Sequence, residues 1–210
     1  MTENSLSRAE RNKQQLRAEI IQAAFAEFSA RGYHQTGIAD IAKRLGIGHG
    51  TFYRYFENKR DILEHVIDEV SRQIMETLAA ENAPGAAGSL AEYREQCRRI
   101  GNRFVAVMAE NPDMIRMVLF EATSVDAEMT NRIMLLQEFG ARITAEYLAH
   151  GVKLGFLRAD LDAEATSHAV IGLLLGGALR FLYKPDDVEG RERLVEATLR
   201  LLIDGVGRSG

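Results

Sequence analysis

Between His49 and Lys59 the chain gathers an imidazole (His49), a hydroxyl (Thr51), two phenols (Tyr53, Tyr55), a guanidinium (Arg54) and an ammonium (Lys59). Together they form a set of hydrogen-bond donors suited to base edges and phosphate oxygens. Arg54 can fork onto O6 and N7 of a guanine, or equally onto a phosphate. Phe52 and Phe56 lie four residues apart among these polar groups. On a helix they would anchor one face, and the 100° step then puts Gly50 and Arg54 on the opposite row, flanked by Thr51 and Tyr53. Other chemistries lack their residues. Cys97 is the single cysteine, which excludes an internal disulfide and a cysteine-built zinc site. The five histidines (His34, His49, His65, His150, His168) include no helical pair four apart, so neither metal nor cofactor is expected. Glu146 and His150 share a helix face and read as a surface pair. No HExxH motif, glycine-rich phosphate loop or nucleophile with an assignable base occurs, which leaves an enzyme as a remote alternative.

These donors need a scaffold, and segment 38–56 has the parts of a helix-turn-helix. Ile41 and Leu45 point inward from a first helix, Ala42 is small where a second helix must cross, and Gly46 supplies a left-handed turn. The second helix is expected to begin just after Ile47 and to reach Phe56. Ahead of it, Leu16, Ile20, Ala24 and Phe28 mark a helix over 15–31, preceded by a flexible basic arm with Arg8, Arg11 and Lys13. Behind it, Asn58 and Asp61 stand in capping-box spacing before a long helix striped by Ile62, Val66 and Val70. Pro84, Gly85 and Gly88 make 82–89 the clearest loop. Five more helices are predicted at 90–110, 112–122, 127–151, 163–183 and 191–205. Strand alternation is missing and only 3 prolines punctuate 210 residues, so the fold class is all-α.

Charge divides the chain. Residues 1–60 hold 10 Lys and Arg against 6 Asp and Glu, whereas 61–210 hold 16 against 24. A basic head on an acidic body suits a module that meets a polyanion. The N-terminus has no apolar leader, and no run approaches the roughly 18 uninterrupted apolar residues of a membrane span. A cytoplasmic protein without a membrane partner is the expectation.

The string Thr36-Gly37-Ile38-Ala39-Asp40-Ile41-Ala42, then Ala42 to Gly46, then Gly50 to Phe56 and Asn58-Lys59, resembles the signature of the tetracycline-repressor (TetR) family. The resemblance spans about residues 20–63. It implies an N-terminal three-helix DNA-binding domain (1–60) joined to a larger helical ligand-binding and dimerisation domain (61–210). It further implies a homodimer on a palindromic double-stranded operator, released by a small-molecule effector, most often as a repressor. Carried onto this chain, Thr36, Tyr53, Tyr55 and Lys59 would hold phosphates, while His49, Gly50, Thr51 and Arg54 would read bases. Two positions depart from the pattern: Gly37 and Ala39 replace more polar residues, and Gly48 stands where Ser commonly caps the second helix.

In the body, Cys97, Gly101, Phe104 and Met108 form one helical stripe, and Met117, Phe120 and Met134 add adaptable apolar bulk. These are either plain core or the lining of a cavity for a largely apolar ligand, and Glu121 among them is a pocket acid or an internal ion-pair partner. Gly172, Gly176 and Gly177 leave a bare helix face, and Leu194, Thr198 and Leu201 stripe the final helix. The resemblance implies that these two helices build a four-helix dimer interface. The competing explanation lets the glycines pass close to their own domain or ligand. A chromosome-bound interaction protein using the same head is the other functional class, distinguished by many dispersed binding sites instead of a few beside transcription units.

Overall fold

The computed structural model describes residues 7–76, 82–110, 112–184 and 186–206. Its regular elements are helices: α1 (Arg8–Arg31), α2 (Ile38–Leu45), α3 (His49–Phe52), α4 (Lys59–Glu76), α5 (Leu90–Glu110), α6 (Pro112–Arg116), α7 (Ala127–Leu154), α8 (Ala163–Tyr183) and α9 (Val188–Val206).

Helix α1 begins earlier than its apolar stripe suggests. Ser7 Oγ accepts from the Glu10 amide (3.2 Å) and Glu10 accepts from the Ser7 amide (2.8 Å), a capping box that carries the helix through the expected flexible arm. Residues 1–6 of that arm lie outside the described residues, and Arg8, Arg11 and Lys13 stand on exposed helix. At the head of α4, Asn58 Oδ1 accepts from the Asp61 amide (2.9 Å), as its spacing predicts; Asp61 in turn accepts from the Glu57 amide (2.8 Å). The loop before α5 contains a 3₁₀ turn, Pro84–Ala86.

The stretch expected as one helix over 112–122 changes character midway. After α6 it widens into a π-helical turn, Met117–Glu121, and tightens into a 3₁₀ turn, Ala122–Ser124. Wide turns of this kind are rare and rotate the side chains that follow them off the α-helical register.

Packing joins head and body. Ile20, Ala24, Phe28, Ile41, Phe52, Phe56, Ile62 and Leu63 share one buried cluster with Met117, Ala122, Met129 and Ile133. A second cluster, with Tyr93, Tyr147, Leu148 and Leu157, closes the far end of the body. Helix α7 runs along α8 and α5 along α9, while α8 and α9 touch over a short stretch. The space between these two helix pairs is not filled.

Helix α8 has a mean hydropathy of 1.4 over its most apolar window, and by length and composition it could cross a bilayer. Counting uninterrupted runs passes over it, because Ser167, His168 and Arg180 break the apolar sequence. Little of it is buried against its own chain: Gly172, Gly176, Leu179 and Tyr183 all face outward.

A DNA-reading face and an apolar cavity

The turn between α2 and α3 is built by Gly46, whose φ of 67° is the left-handed conformation that side chains with a β-carbon resist. Its amide and that of Ile47 return to the carbonyls of Lys43 and Ala42 (3.2 and 3.0 Å), which closes the end of α2. Helix α3 is shorter than expected, a single turn over His49–Phe52. Hydrogen bonds from the amides of Arg54, Tyr55 and Phe56 to Thr51 and Phe52 nevertheless carry the coil to Phe56 in tighter turns. The glycine cap at 48 offers no side-chain oxygen to the first amides.

Phe52 and Phe56 are buried, their ring centroids 5.7 Å apart, and Phe56 also receives the Arg17 guanidinium over its face (5.2 Å). The opposite row is open: His49, Gly50, Tyr53 and Arg54 are exposed, with Thr51 and Tyr55 half-buried at its edges. Nothing of the chain lies within 4 Å of where a Gly50 β-carbon would stand, so a large surface can approach the backbone there. Arg54 lies over the Tyr55 ring (5.8 Å) and has no carboxylate partner among the described residues. Other basic residues of the head are already paired, Arg31 with Asp40 (2.8 Å) and Arg44 with Glu27 (2.9 Å).

Two residues of the expected phosphate clamp are committed elsewhere. Thr36 is buried, its hydroxyl donating to the Gly32 carbonyl (2.8 Å), with the Glu27 carbonyl at 3.2 Å. The Lys59 ammonium donates to the Tyr33 carbonyl (2.9 Å) and sits 4.3 Å from the Tyr33 ring centroid; burial pushes its pKa down. Both side chains thus tie the α1–α2 turn to its neighbours. The signature places them near DNA, but the deep seat of Tyr33 draws them inward.

That turn is also gripped from the body. Glu121, at the end of the π-helical turn, accepts a short hydrogen bond from the Tyr33 amide, and a β-carbon at Gly32 would come within 3.0 Å of its carboxylate. His34 contacts Ser124 Oγ (3.0 Å), and Arg60 pairs with Asp126 (2.5 Å), Glu128 (2.7 Å) and Glu64. The Arg60 guanidinium and the Met129 amide hold the Asp126 carboxyl below the usual carboxylate range. Glu121 is therefore a link to the head and lies off the cavity wall.

The unfilled space in the body is a cavity of about 240 Å³, walled by α5, α7, α8 and α9. Of the residues singled out from sequence as ligand contacts, Cys97 and Phe104 line it. Met108 packs in an adjoining cluster with Val70 and Phe181, Met117 is buried in the core shared with the head, and Phe120 and Met134 are exposed. The π-helical turn explains Met117, Phe120 and Glu121, which a regular helix would have aimed elsewhere. Helix α7 explains Met134: its first half packs its inner face on the head, and only its second half, with Gly140, Ile143, Thr144 and Tyr147, faces the cavity. That stripe, at spacing three, four and seven, is the signal sequence reasoning passed over.

The helix faces of α8 and α9 divide the remaining candidates. Gly172, Gly176 and Leu201 are exposed, and Gly172 and Gly176 have open space where a β-carbon would be. Gly177, Leu194 and Thr198 line the cavity instead, a Gly177 β-carbon falling 3.6 Å from Leu194. The cavity explanation therefore holds for Gly177, whereas Gly172 and Gly176 stand on an open face. His150 is not paired with Glu146; it meets the Ala87 carbonyl (2.9 Å) beside the Phe156 ring.

Residues 20–66 match the model of bacterial regulatory proteins of the tetR family. The chain is 23% identical over 188 residues to the fatty acid metabolism regulator protein of Bacillus subtilis, covering 90% of this chain and 94% of the relative. It is 27% identical over 186 residues to the transcriptional regulator TtgR of Pseudomonas putida, covering 87% of each. The fold is shared with the crystal structure of the regulator FadR from Bacillus subtilis in complex with stearoyl-CoA, at a TM-score of 0.75 and 22% identity over 90% of this chain and 98% of that one. A helix-turn-helix that matches the tetR-family model with its donor row open, mounted on a helical body of the same fold, makes the chain a DNA-binding transcriptional regulator similar to those of the TetR family.

Proposed function

We propose that this chain is a homodimeric repressor that leaves a palindromic operator when an apolar small molecule enters the cavity. The observation that carries the reading is the pairing of an open donor row on the head with an apolar cavity in the body. In this division of labour residues 1–60 read DNA and 61–210 bind ligand and partner, without enzymatic activity and in the cytoplasm. His49, Gly50, Thr51 and Arg54 face base edges, Tyr53 and Tyr55 reach phosphates, and Thr36 and Lys59 act by holding the turn that carries them. The neighbour crystallised with stearoyl-CoA supports a ligand that carries an apolar chain.

Release requires that the ligand prefer a conformer that DNA does not. A contiguous route for that preference is at hand. Phe104 and Phe181 line the cavity and pack in one cluster with Val118 and Leu119 of the π-helical turn, whose last residue, Glu121, holds the Tyr33 amide.

Dimerisation rests on the outward face of α8 and on Leu201 of α9. A two-fold axis there would space two recognition segments roughly 34–36 Å apart, one turn of DNA. Selection of bound fragments from genomic DNA tests the whole reading. One or a few palindromic sites beside transcription units are expected; many dispersed sites without symmetry would favour a chromosome-bound interaction protein.

A further inference from the structure

We propose that the effector is an uncharged molecule whose buried part fills about eight water-sized volumes and carries one neutral hydrogen-bonding group, and that Thr198 recognises that group. This rests on the reading of the cavity as the effector site.

Among the described residues, no Asp, Glu, Lys, Arg or His lines the cavity. An ion brought into it would lose its hydration without gaining a counter-charge, a cost far above that of burying a neutral group. Charged side chains stand behind its wall: the Arg191 guanidinium lies 5.8 Å from the ring centroid of Phe181, and Arg158, Asp160 and Asp162 belong to a more open groove that shares Val170, Leu173 and Leu202 with the cavity. Arg158 is already spent on Asp160 (2.8 Å) and the Gly205 carbonyl (3.3 Å).

The polar groups that do line the cavity are few, and most are engaged. The Tyr147 hydroxyl donates to the Asn82 carbonyl, the Thr144 hydroxyl to the Gly140 carbonyl (2.9 Å), and Tyr93 and Cys97 are hydrogen-bonded to each other. Thr198 makes no hydrogen bond among the described residues and so keeps both its proton and its lone pairs for a ligand. A neutral hydroxyl or carbonyl on an otherwise apolar molecule matches that arrangement; a carboxylate or quaternary ammonium does not.

The experiment uses the full chain and three probes of equal chain length: octan-1-ol, octanoate and octyltrimethylammonium. Cys97, the sole cysteine and a lining residue whose thiol pKa is pushed up to about 11 by burial, reports occupancy through protection from iodoacetamide in alkaline buffer, where enough thiolate forms to be labelled. Octan-1-ol is expected to protect Cys97 at a concentration at least about tenfold lower than either ion, since the ions bury a charge without a partner. Thr198→Val is expected to weaken octan-1-ol roughly 2- to 10-fold, the range of one neutral hydrogen bond, while leaving 1-octene unchanged. Protection by octanoate or octyltrimethylammonium at equal or lower concentration overturns the proposal and leaves the cavity as a site. Protection by none of these probes overturns both. Protection by octan-1-ol without any loss of DNA affinity upholds the neutral chemistry and removes the effector reading alone.

Discussion

Lys59 illustrates how a residue able to bind phosphate is claimed first by its own chain. Its ammonium is held by the Tyr33 carbonyl and ring, contacts that sequence spacing cannot reveal because 26 residues separate the partners. Lys59→Met is expected to lower thermal stability by about 1–3 kcal/mol. The slope of log affinity against log salt should stay unchanged, whereas a phosphate contact would reduce it by about one. Arg54 is the opposite case, exposed and without a carboxylate partner among the described residues. Arg54→Ala should leave the melting midpoint within about 0.5 kcal/mol of stability and weaken operator binding by about 1–3 kcal/mol. A binding-site selection with the variant separates its two roles: relaxed preference at one base pair marks base reading, and uniform weakening marks a phosphate. The exposure of this row was legible in the sequence because it follows from the helical step about two buried phenylalanines. The fates of Thr36 and Lys59 were not, because they depend on how the end of α1 and the turn after it fold back to offer the carbonyls of Glu27, Gly32 and Tyr33.

Helices α5 and α8 run over the residues their periodicity predicts, 90–110 and 163–183. The misreading concerned the piece between α6 and α7. A regular helix was the default for its apolar run, and a π-helical turn differs from it by hydrogen-bond register alone, which composition does not encode. Every ligand candidate drawn from that piece was consequently displaced from the cavity. Its last residue gained a different role, one that Glu121→Ala should expose. The Tyr33 residue is buried, so removing the acceptor of its amide is expected to cost about 1–3 kcal/mol, roughly a 2–12 °C drop in midpoint for a chain of this size. The stronger test lies in coupling: the ratio of operator affinities without and with ligand should shrink in this variant while Cys97 protection by ligand persists. An unchanged ratio would detach the π-helical turn from signalling.

At the scale of the whole molecule, the proposed dimer would rest on a face that the protomer leaves uncovered. Gly176 has open space where a β-carbon would stand, whereas Gly177 faces Leu194 across the cavity wall. Gly176→Leu is therefore expected to spare the protomer fold, as read by circular dichroism, and to shift sedimentation to monomers, with operator affinity falling because two half-sites are no longer bound together. Gly177→Leu should do the reverse, keeping the dimer and filling the cavity, so that effectors no longer act. A Gly176→Leu protein that still sediments as a dimer would move the interface elsewhere. Sequence alone placed all three glycines on one bare face; the sorting between partner and cavity appears only when α9 takes its position beside α8.

Exchange of parts between regulators meets a constraint set by the buried cluster that spans head and body. Met117, Ala122, Met129 and Ile133 fill the same core as Phe28, Phe52 and Phe56. A hybrid spliced at residue 60 onto a foreign body would pair half of one interlocking surface with half of another, leaving voids or clashes. A transplant that respects the cluster must carry the head together with the stretch from 117 to 133, although more than fifty residues of sequence separate the two. Head and segment 117–133 are therefore one unit of exchange, whatever body is joined to them.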